Sequence, residues 1–386
     1  MLLDFFLQKT RGKIIVVADI GTGSVACAVL WIPSKGPAIT LAAARTTLPI
    51  EERTPQAAIT AVAGELARVG KKVIVASTPN NGAPLHPEAL VCIIRQPWTT
   101  AEVISESVRY EKDMPITATL ISDLARKTLR RASSIDKSLF LDAAVIGVEL
   151  NGYPTKKPEG ARAHEITVAA LISGCDPDVR AAIERSLENV FPHTPHFLQS
   201  STRALHAVLR EYATEHDYVV IDVGDERTAM AVVRDGSLAE QCLVPEGAYS
   251  ILRRISTAVL PEETLSTLRM IAREECSSDV CETTLETLAR IEPDLVKLFG
   301  EGMAKCAVAR KLPATLYLIV HPDIAPWLAK FFSRIDFTQF TRTTQPYTVK
   351  TLALKDMEPW AVAAQGVRMD CRLAVAASLV NIQART

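Results

Sequence analysis

The sequence VVADIGTGS spans residues 16–24, and a close relative of it, VVIDVGDER, spans residues 219–227. Each copy is an apolar run that ends in Asp-x-Gly and turns sharply into a second apolar run, at residues 25–32 and 228–233. A further turn follows at residues 33–36 and 234–236, and each leads to a third strand-like segment. A three-strand meander that occurs twice predicts a duplicated α/β fold with two related lobes facing each other.

The composition is typical of a soluble globular protein with two or three domains. Of the 386 residues, 48% are apolar and 23% are charged. The net charge of -1 gives no indication of nucleic acid as a partner. The eight cysteines are scattered, and Cys276 and Cys281 lack the neighbours of a zinc site, so we expect free thiols in a reducing cytoplasm.

The start of the chain combines apolar and basic residues. Leu and Phe residues at positions 2–7 are followed by Lys9, Arg11 and Lys13. This leader predicts either a peripheral contact with an anionic membrane surface or a first turn packed on the body of the protein. No segment of the sequence reaches the roughly 20 apolar residues of a membrane span.

The pattern along the chain changes at about residue 88. Before it, residues 54–70 predict an amphipathic helix and residues 72–77 a short strand. Residues 88–174 predict a small inserted α+β subdomain, with a helix at 99–113, a second helix at 121–132, and strands at 142–150 and 165–173. Residues 360–379 predict a helix that closes the chain back onto the first lobe.

The order of these elements resembles the actin-like ATPase superfamily. Residues 19–24 look like its first phosphate loop, residues 222–228 like its second, and residues 316–320 like the strand before its adenosine loop. Within the superfamily, the chain is similar to the FtsA family of cell division and the PilM family of type IV pilus assembly, which carry a small SHS2-type inserted subdomain. The resemblance implies an RNase H-like first lobe of residues 1–87 and 175–215, an inserted subdomain of residues 88–174 and a second lobe of residues 216–386.

The resemblance also implies a site for ATP and Mg²⁺. Asp19 and Asp222 would hold the metal through water, and Gln199 would orient the attacking water as a catalytic residue. The residues implied to bind the cofactor are Asp19, Gly21, Thr22, Gly23, Ser24, Asp222, Gly224, Thr228 and Gly247. From the residues alone, the first motif is also compatible with an ordinary hairpin, and a surface position near a helix cap is favoured for Gln199.

Two elements depart from the pattern of active relatives. In the second phosphate loop, Asp225 and Glu226 stand where glycines would expose backbone N–H groups. At about 5 Å and an effective dielectric constant near 20, each carboxylate would repel one phosphate charge by roughly 3 kcal/mol. In place of the adenosine loop's glycines, residues 321–323 read His-Pro-Asp. We therefore expect ATP binding to be weak or lost and hydrolysis to be slow or absent.

The resemblance thus implies a cytoplasmic scaffold of cell division or type IV pilus assembly at the inner face of the membrane. We expect it to dock protein partners through the inserted subdomain, to self-associate into filaments or dimers, and to bind no nucleic acid. Two alternatives remain open: an active ATPase or sugar-kinase-like phosphotransferase, and a structural pseudoenzyme that binds no nucleotide.

Overall fold

The computed structural model of the protein describes residues 12–78, 86–131, 137–256, 259–276, 278–308, 310–337, 339–341 and 346–385. The chain divides into two compact units. The first comprises Met1–Thr99, Cys175–Tyr212 and Leu352–Thr386, and the second comprises Thr100–Gly174 and Ala213–Thr351. Most of the predicted leader, residues 1–11, lies outside the described residues, as does the loop at residues 79–85.

The strands and helices are numbered in chain order. The strands are β1 (Lys13–Ile20), β2 (Ser24–Ile32), β3 (Ala38–Thr47), β4 (Ala89–Ile94), β5 (Thr99–Pro115), β6 (Phe140–Leu150), β7 (Tyr153–Pro154), β8 (Arg162–Cys175), β9 (His196–Ser200), β10 (Tyr218–Val223), β11 (Thr228–Arg234), β12 (Ser237–Val244), β13 (Thr315–Ile319), β14 (Thr348–Thr351) and β15 (Ala361–Ala363). The helices are α1 (Pro55–Ser77), α2 (Ala118–Arg131), α3 (Pro177–Val190), α4 (Ser201–Tyr212), α5 (Ala248–Ile255), α6 (Pro261–Ala272), α7 (Asp279–Cys306), α8 (Ala325–Arg334) and α9 (Cys371–Gln383).

The first unit is built on a six-stranded sheet in the order β15-β3-β2-β1-β4-β9. Strands β1, β2 and β3 form the antiparallel meander, whereas β4 runs parallel to β1 and β9 parallel to β4. Helices α1, α4 and α9 pack on this sheet, and α3 packs on α1. The strands are accordingly apolar on both faces: eight of the nine residues of β2 are buried. The last helix, α9, belongs to this unit and packs on α4 and β1.

The second unit repeats this sheet. Its five strands lie in the order β12-β11-β10-β13-β14, with β10, β11 and β12 antiparallel and with β13 and β14 parallel to β10. The registers also correspond, because Asp19 lies opposite Ala26 and Ile93, and Asp222 lies opposite Ala229 and Ile319. The predicted duplicated α/β fold is confirmed.

A separate four-stranded sheet in the order β5-β8-β6-β7 also belongs to the second unit. Helix α2 packs on one face of it through a core that includes Ile116, Leu124 and Ile166, with Val108 and Tyr110 of β5 beside them. The sheet begins at β5 and not at residue 88, since β4 belongs to the six-stranded sheet of the first unit.

Three predicted elements are wrong in type. Residues 72–77 continue α1 as a helix, since Gly70 lets its backbone approach Val190 and Phe191 and the long helix packs along α3. Residues 99–113 form β5 and not a helix, because Val108 and Tyr110, two apart, both contact the core, whereas Ser107 and Arg109 are exposed. Residues 360–379 contain the short strand β15 before α9 begins at Cys371.

The cysteines differ from the prediction at one pair. Cys276 and Cys281 are joined in a disulfide, so the expectation of free thiols is wrong there. The other six are free, and Cys27, Cys92, Cys175 and Cys306 among them are buried. Burial raises the pKa of the Cys27 thiol to about 12, which makes it unreactive as a nucleophile.

Leu124 holds α2 on its sheet, and replacing it tests this packing. Leu124 is 1% exposed, whereas Leu129 on the same helix is 39% exposed. We expect Leu124→Ala to lower the free energy of unfolding by about 2–5 kcal/mol, because it removes buried methyl groups and leaves a cavity. Leu129→Ala is the matched control, with an expected change below about 1 kcal/mol. Urea denaturation measures both, and equal effects would contradict the described core.

Candidate functional site

The first Asp-x-Gly motif forms a tight hairpin between β1 and β2. The backbone N–H of Gly21 donates to the carbonyl of Ser24 at 2.9 Å, and Leu48, just after β3, donates its N–H to the carbonyl of Gly23 at 2.8 Å. Asp19 is the last residue but one of β1 and is 2% exposed. The hairpin therefore brings together the predicted residues Asp19, Gly21, Gly23 and Ser24.

Two arginines of the same unit occupy the Asp19 carboxylate. Arg45, near the end of β3, donates from Nη2 to Oδ2 of Asp19 at 2.7 Å. Arg95 follows β4, and its Nε lies 3.2 Å from Oδ1 of Asp19. Because Ile94 pairs with Ile20 in the parallel sheet, the next residue, Arg95, lies beside Gly21. A Cβ atom at Gly21 would collide with the Arg95 guanidinium, so this glycine makes room for an arginine of the protein itself.

Arg45 connects Asp19 to the start of the last helix. Its Nε donates to Oδ2 of Asp370 at 2.7 Å, and the side chain of Asp370 caps α9 by accepting from the N–H of Leu373. The hydroxyl of Ser24 accepts from Arg45 at 2.9 Å and from Arg95 at 2.8 Å. We call Asp19, Ser24, Arg45, Arg95 and Asp370 the arginine cluster.

The charges of this cluster keep Asp19 ionised. Burial opposes ionisation, but the positive charges of Arg95, Arg45 and Arg372 outweigh it and hold the pKa of Asp19 below its ordinary value. The carboxylate is thus a buried anion balanced by guanidinium groups. A buried carboxylate paired in this way serves to bind the protein's own cations.

The arginine cluster does not fit a magnesium ion. A Mg²⁺ about 5 Å from a guanidinium charge would be repelled by roughly 7 kcal/mol at an effective dielectric constant near 20. Two guanidinium groups contact the Asp19 carboxylate, so both would oppose a metal held through water there. Within the described part of the chain, no group of three or more His, Cys, Asp or Glu residues could hold a metal ion.

The second Asp-x-Gly motif is closed by the helix that follows β12. The N–H of Ala248 donates to the carbonyl of Gly224 at 2.8 Å, and the N–H of Tyr249 donates to the carbonyl of Asp225 at 2.7 Å. Gly247 permits this contact, because a Cβ atom there would lie 2.6 Å from the carbonyl oxygen of Asp225. The N–H groups at a helix N-terminus can bind anions, but here they already donate hydrogen bonds to the carbonyls of the turn.

The side chains of this second hairpin are also paired. Glu226 accepts two hydrogen bonds from Arg253 of α5, at 2.9 and 2.6 Å, and Glu246 accepts one from Arg254 at 2.9 Å. The hydroxyl of Thr228 donates to the carbonyl of Glu246 at 2.7 Å. Arg253 therefore balances the charge of Glu226, and the repulsion of phosphate by this turn stays a prediction. Asp222 is buried at the end of β10.

The segment in place of the adenosine loop carries another such pair. After β13, Asp323 accepts a hydrogen bond from Nε of Arg269 on α6 at 2.9 Å. The side chain of Asp323 is 12% exposed. Residues 321–323 are thus tied to a neighbouring helix by a charged contact.

Gln199 lies in β9 and not on the surface. It is 8% exposed and occupies the same row of the sheet as Asp19, two strands away, since Ile93 pairs with both. Strand spacing puts the two backbones about 10 Å apart. The side-chain carbonyl oxygen of Gln199 accepts a hydrogen bond from the side-chain amide of Gln383, near the end of α9, at 3.3 Å. A surface position is wrong for Gln199, and its water-orienting role stays a prediction.

Comparisons with known proteins identify the fold. No protein-family model matches the chain, and neither does any curated protein. Among solved structures, the chain is similar to one described as the PilM-PilN type IV pilus biogenesis complex, with a TM-score of 0.61, 15% identity, and coverage of 96% of this chain and 98% of that chain. The fold is the actin-like ATPase fold, as in PilM.

Two further structures align with this actin-like chain at lower similarity. The ethanolamine utilization protein EutJ from Carboxydothermus hydrogenoformans has a TM-score of 0.46 and 10% identity, with 96% of this chain and 90% of that chain covered. A Ppx/GppA family member from Aquifex aeolicus has a TM-score of 0.37 and 10% identity, with 97% and 89% covered. Among the described residues of this chain, no helix is long and apolar enough to cross a membrane.

Sequence reasoning missed the arginines and Asp370. Arg45 and Arg95 each end an apolar strand, and a charge at the end of a buried strand is the signal that could have revealed them. Asp370 precedes α9, as an N-cap residue does. That the two hairpins face each other stays a prediction.

Replacing Asp19 with Asn tests the arginine cluster. We expect Asp19→Asn to lower the free energy of unfolding at pH 7 by about 3–5 kcal/mol, because it removes the anion that both guanidinium groups contact and leaves Arg45 with Asp370 alone. Since the folded pKa of Asp19 is lowered, its contribution is present above the unfolded pKa of about 3.9 and is lost as the pH falls through the folded pKa.

The matched control is Glu65→Gln, which breaks the exposed Arg68–Glu65 pair of 2.6 Å on α1. We expect it to change stability by less than about 1 kcal/mol. Urea denaturation of both variants and the wild type, from pH 7 to below pH 4, measures the difference. An Asp19→Asn variant as stable as the wild type at pH 7 would contradict the proposed role of the cluster.

Proposed function

We propose that this protein is a scaffold of type IV pilus assembly that works without a magnesium nucleotide at its two hairpins. The similarity in fold to PilM, which extends over nearly the whole of both chains, supports the assignment to pilus assembly. PilM occurs there in a complex with PilN, and by analogy this protein would hold a partner of its own. A scaffold needs rigid surfaces and does not need to hydrolyse ATP. Hairpins whose carboxylates are held in ion pairs with arginines agree with this.

The proposal rests mainly on the ion pairs that Arg45 and Arg95 form with the carboxylate of Asp19. The glycine-rich turn that would receive phosphate holds a guanidinium group instead. In the second unit, α5 and Arg253 occupy the corresponding turn. These contacts are part of the folded units and would have to break before a nucleotide could bind in the predicted manner. The proposed function therefore does not require the implied ATP and Mg²⁺.

The inserted four-stranded sheet, with α2 on one face, is the proposed site for a protein partner. We place the protein in the cytoplasm at the inner face of the membrane, as expected from the sequence analysis. The predicted basic leader at residues 9–13 would add a weak electrostatic attraction to anionic lipids there.

One observation favours the alternative that a nucleotide binds. The hydroxyl of Thr22, in the first hairpin, is buried and has no hydrogen-bond partner within the described part of the chain. An unpaired buried hydroxyl costs free energy, and a ligand oxygen would relieve it. This alternative, which includes an ATPase or a sugar-kinase-like phosphotransferase, requires Arg95 to move away from Gly21.

Calorimetric titration with ATP and Mg²⁺ separates the two possibilities. We expect no saturable binding up to about 1 mM ligand, a limit that corresponds to about 4 kcal/mol of binding free energy. Arg95→Ala tests whether the arginine is the obstacle, and a gain of binding in that variant would support the account. Micromolar binding to the wild type that is lost in Thr22→Val would contradict it and favour the nucleotide-dependent alternative.

Deletion of the gene in the source organism tests the role in the cell. Loss of surface pili at normal cell length is the expected result for a scaffold of pilus assembly. Long undivided cells with normal pili would instead favour the alternative role in cell division. Complementation with the Glu65→Gln variant, which leaves the arginine cluster intact, controls for expression. The presence of pili on the deletion strain would overturn the proposal.

A further inference from the structure

The outer edge of β5 ends the four-stranded sheet. Strand β5 is 17 residues long, and β8 is its one neighbour in the described sheet. Near its start, the carbonyl of Ala101 accepts a hydrogen bond from the side chain of Gln241 on β12. Residues 103–112 contain no proline or glycine. Sheet edges of this length present a row of backbone N–H and C=O groups that can pair with another strand.

The two faces of β5 are distinct. Glu106 pairs with Arg131 of α2, and Val108 and Tyr110 pack beside the core under that helix. On the opposite face, the hydroxyl of Ser107 lies 2.8 Å from the hydroxyl of Thr167 on β8. Even-numbered residues therefore face α2 and odd-numbered residues face away from it. Val108 and Tyr110 are only partly buried.

We propose that β5 pairs with β5 of a second copy of this chain, antiparallel and about a two-fold axis through Ser107. A two-fold axis perpendicular to the sheet keeps each face on its own side, so that even-numbered residues must lie opposite even-numbered ones. Two four-stranded sheets would then join into one continuous sheet of eight strands, with both copies of α2 on the same face.

An axis through Ser107 opposes charges of unlike sign and no charges of like sign. With Ser107 opposite Ser107, Glu102 lies opposite Lys112 and Ile104 opposite Tyr110, each twice. Moving the axis by one residue towards the start of the strand would oppose Glu106 to Glu106, and moving it to Arg109 would oppose two arginines. Opposite charges and apolar pairs each contribute about 0.2–1 kcal/mol across strands, whereas like charges destabilise.

The partner in this inference is a second copy, which goes beyond the proposed function and does not depend on nucleotide or pilus proteins. A single strand pair is a small interface, so we expect a weak dimer that forms with increasing concentration. Such weak contacts gain strength when a membrane or a complex brings copies together.

Cysteine cross-linking tests the register directly. In the proposed dimer, Ser107 and its counterpart have Cα atoms about 4.5–5.5 Å apart, within reach of a disulfide. We expect Ser107→Cys, oxidised with copper phenanthroline, to give a covalent dimer on a non-reducing gel. Ser105→Cys is the matched control, since Ser105 faces Arg109 and its two copies lie about 13 Å apart.

The native cysteines are controlled by the wild-type protein under the same oxidation. We expect at least about tenfold more dimer from Ser107→Cys than from Ser105→Cys, because only the first pair satisfies disulfide geometry. Sedimentation equilibrium of the wild type should show a concentration-dependent dimer, weakened by Lys112→Glu. A wild type that stays monomeric with no Ser107→Cys cross-link, or equal cross-linking at both positions, would overturn the proposal.

Discussion

The buried contact between the Asp19 carboxylate and the guanidinium groups of Arg45 and Arg95 constrains the first unit. Three separate segments supply its members: β1, the end of β3 and the residue after β4. Asp370 adds the start of α9, so one buried anion connects the meander, the parallel strand and the last helix. Removing Asp19 takes away the anion that both guanidinium groups contact, which is costly for buried charges.

In the second unit, different contacts cover the corresponding hairpin turn and balance its charges. Its hairpin turn is covered by the start of α5, and Arg253 and Arg254 of that helix balance Glu226 and Glu246. In both units, groups that could receive phosphate are bonded within the unit. The duplicated sheet is thus retained as a framework, while the turns that follow its first strands hold parts of the protein together.

The sheets of this fold could be predicted from the sequence because their signal is local. Apolar runs ending in Asp-x-Gly mark β1 and β10, and the duplication gives the topology. The charged contacts could not be predicted, because Arg45 and Asp370 are far apart in sequence and meet only when α9 returns to the first sheet. The helix predicted at residues 99–113 is wrong. The charges of this segment are typical of a helix, but every second residue packs against the core, and this tertiary packing makes the segment a strand.

Carboxyl-selective NMR of Asp19 tests the central claim most directly. With ¹³C-labelled aspartate and the Asp19→Asn variant for assignment, the Asp19 signal should titrate below the ordinary pKa of about 3.9. Addition of ATP with paramagnetic Mn²⁺ should leave it sharp, because the arginines and not a metal contact the carboxylate. Broadening of the Asp19 signal at stoichiometric Mn²⁺-ATP, or titration above the ordinary pKa, would contradict the account.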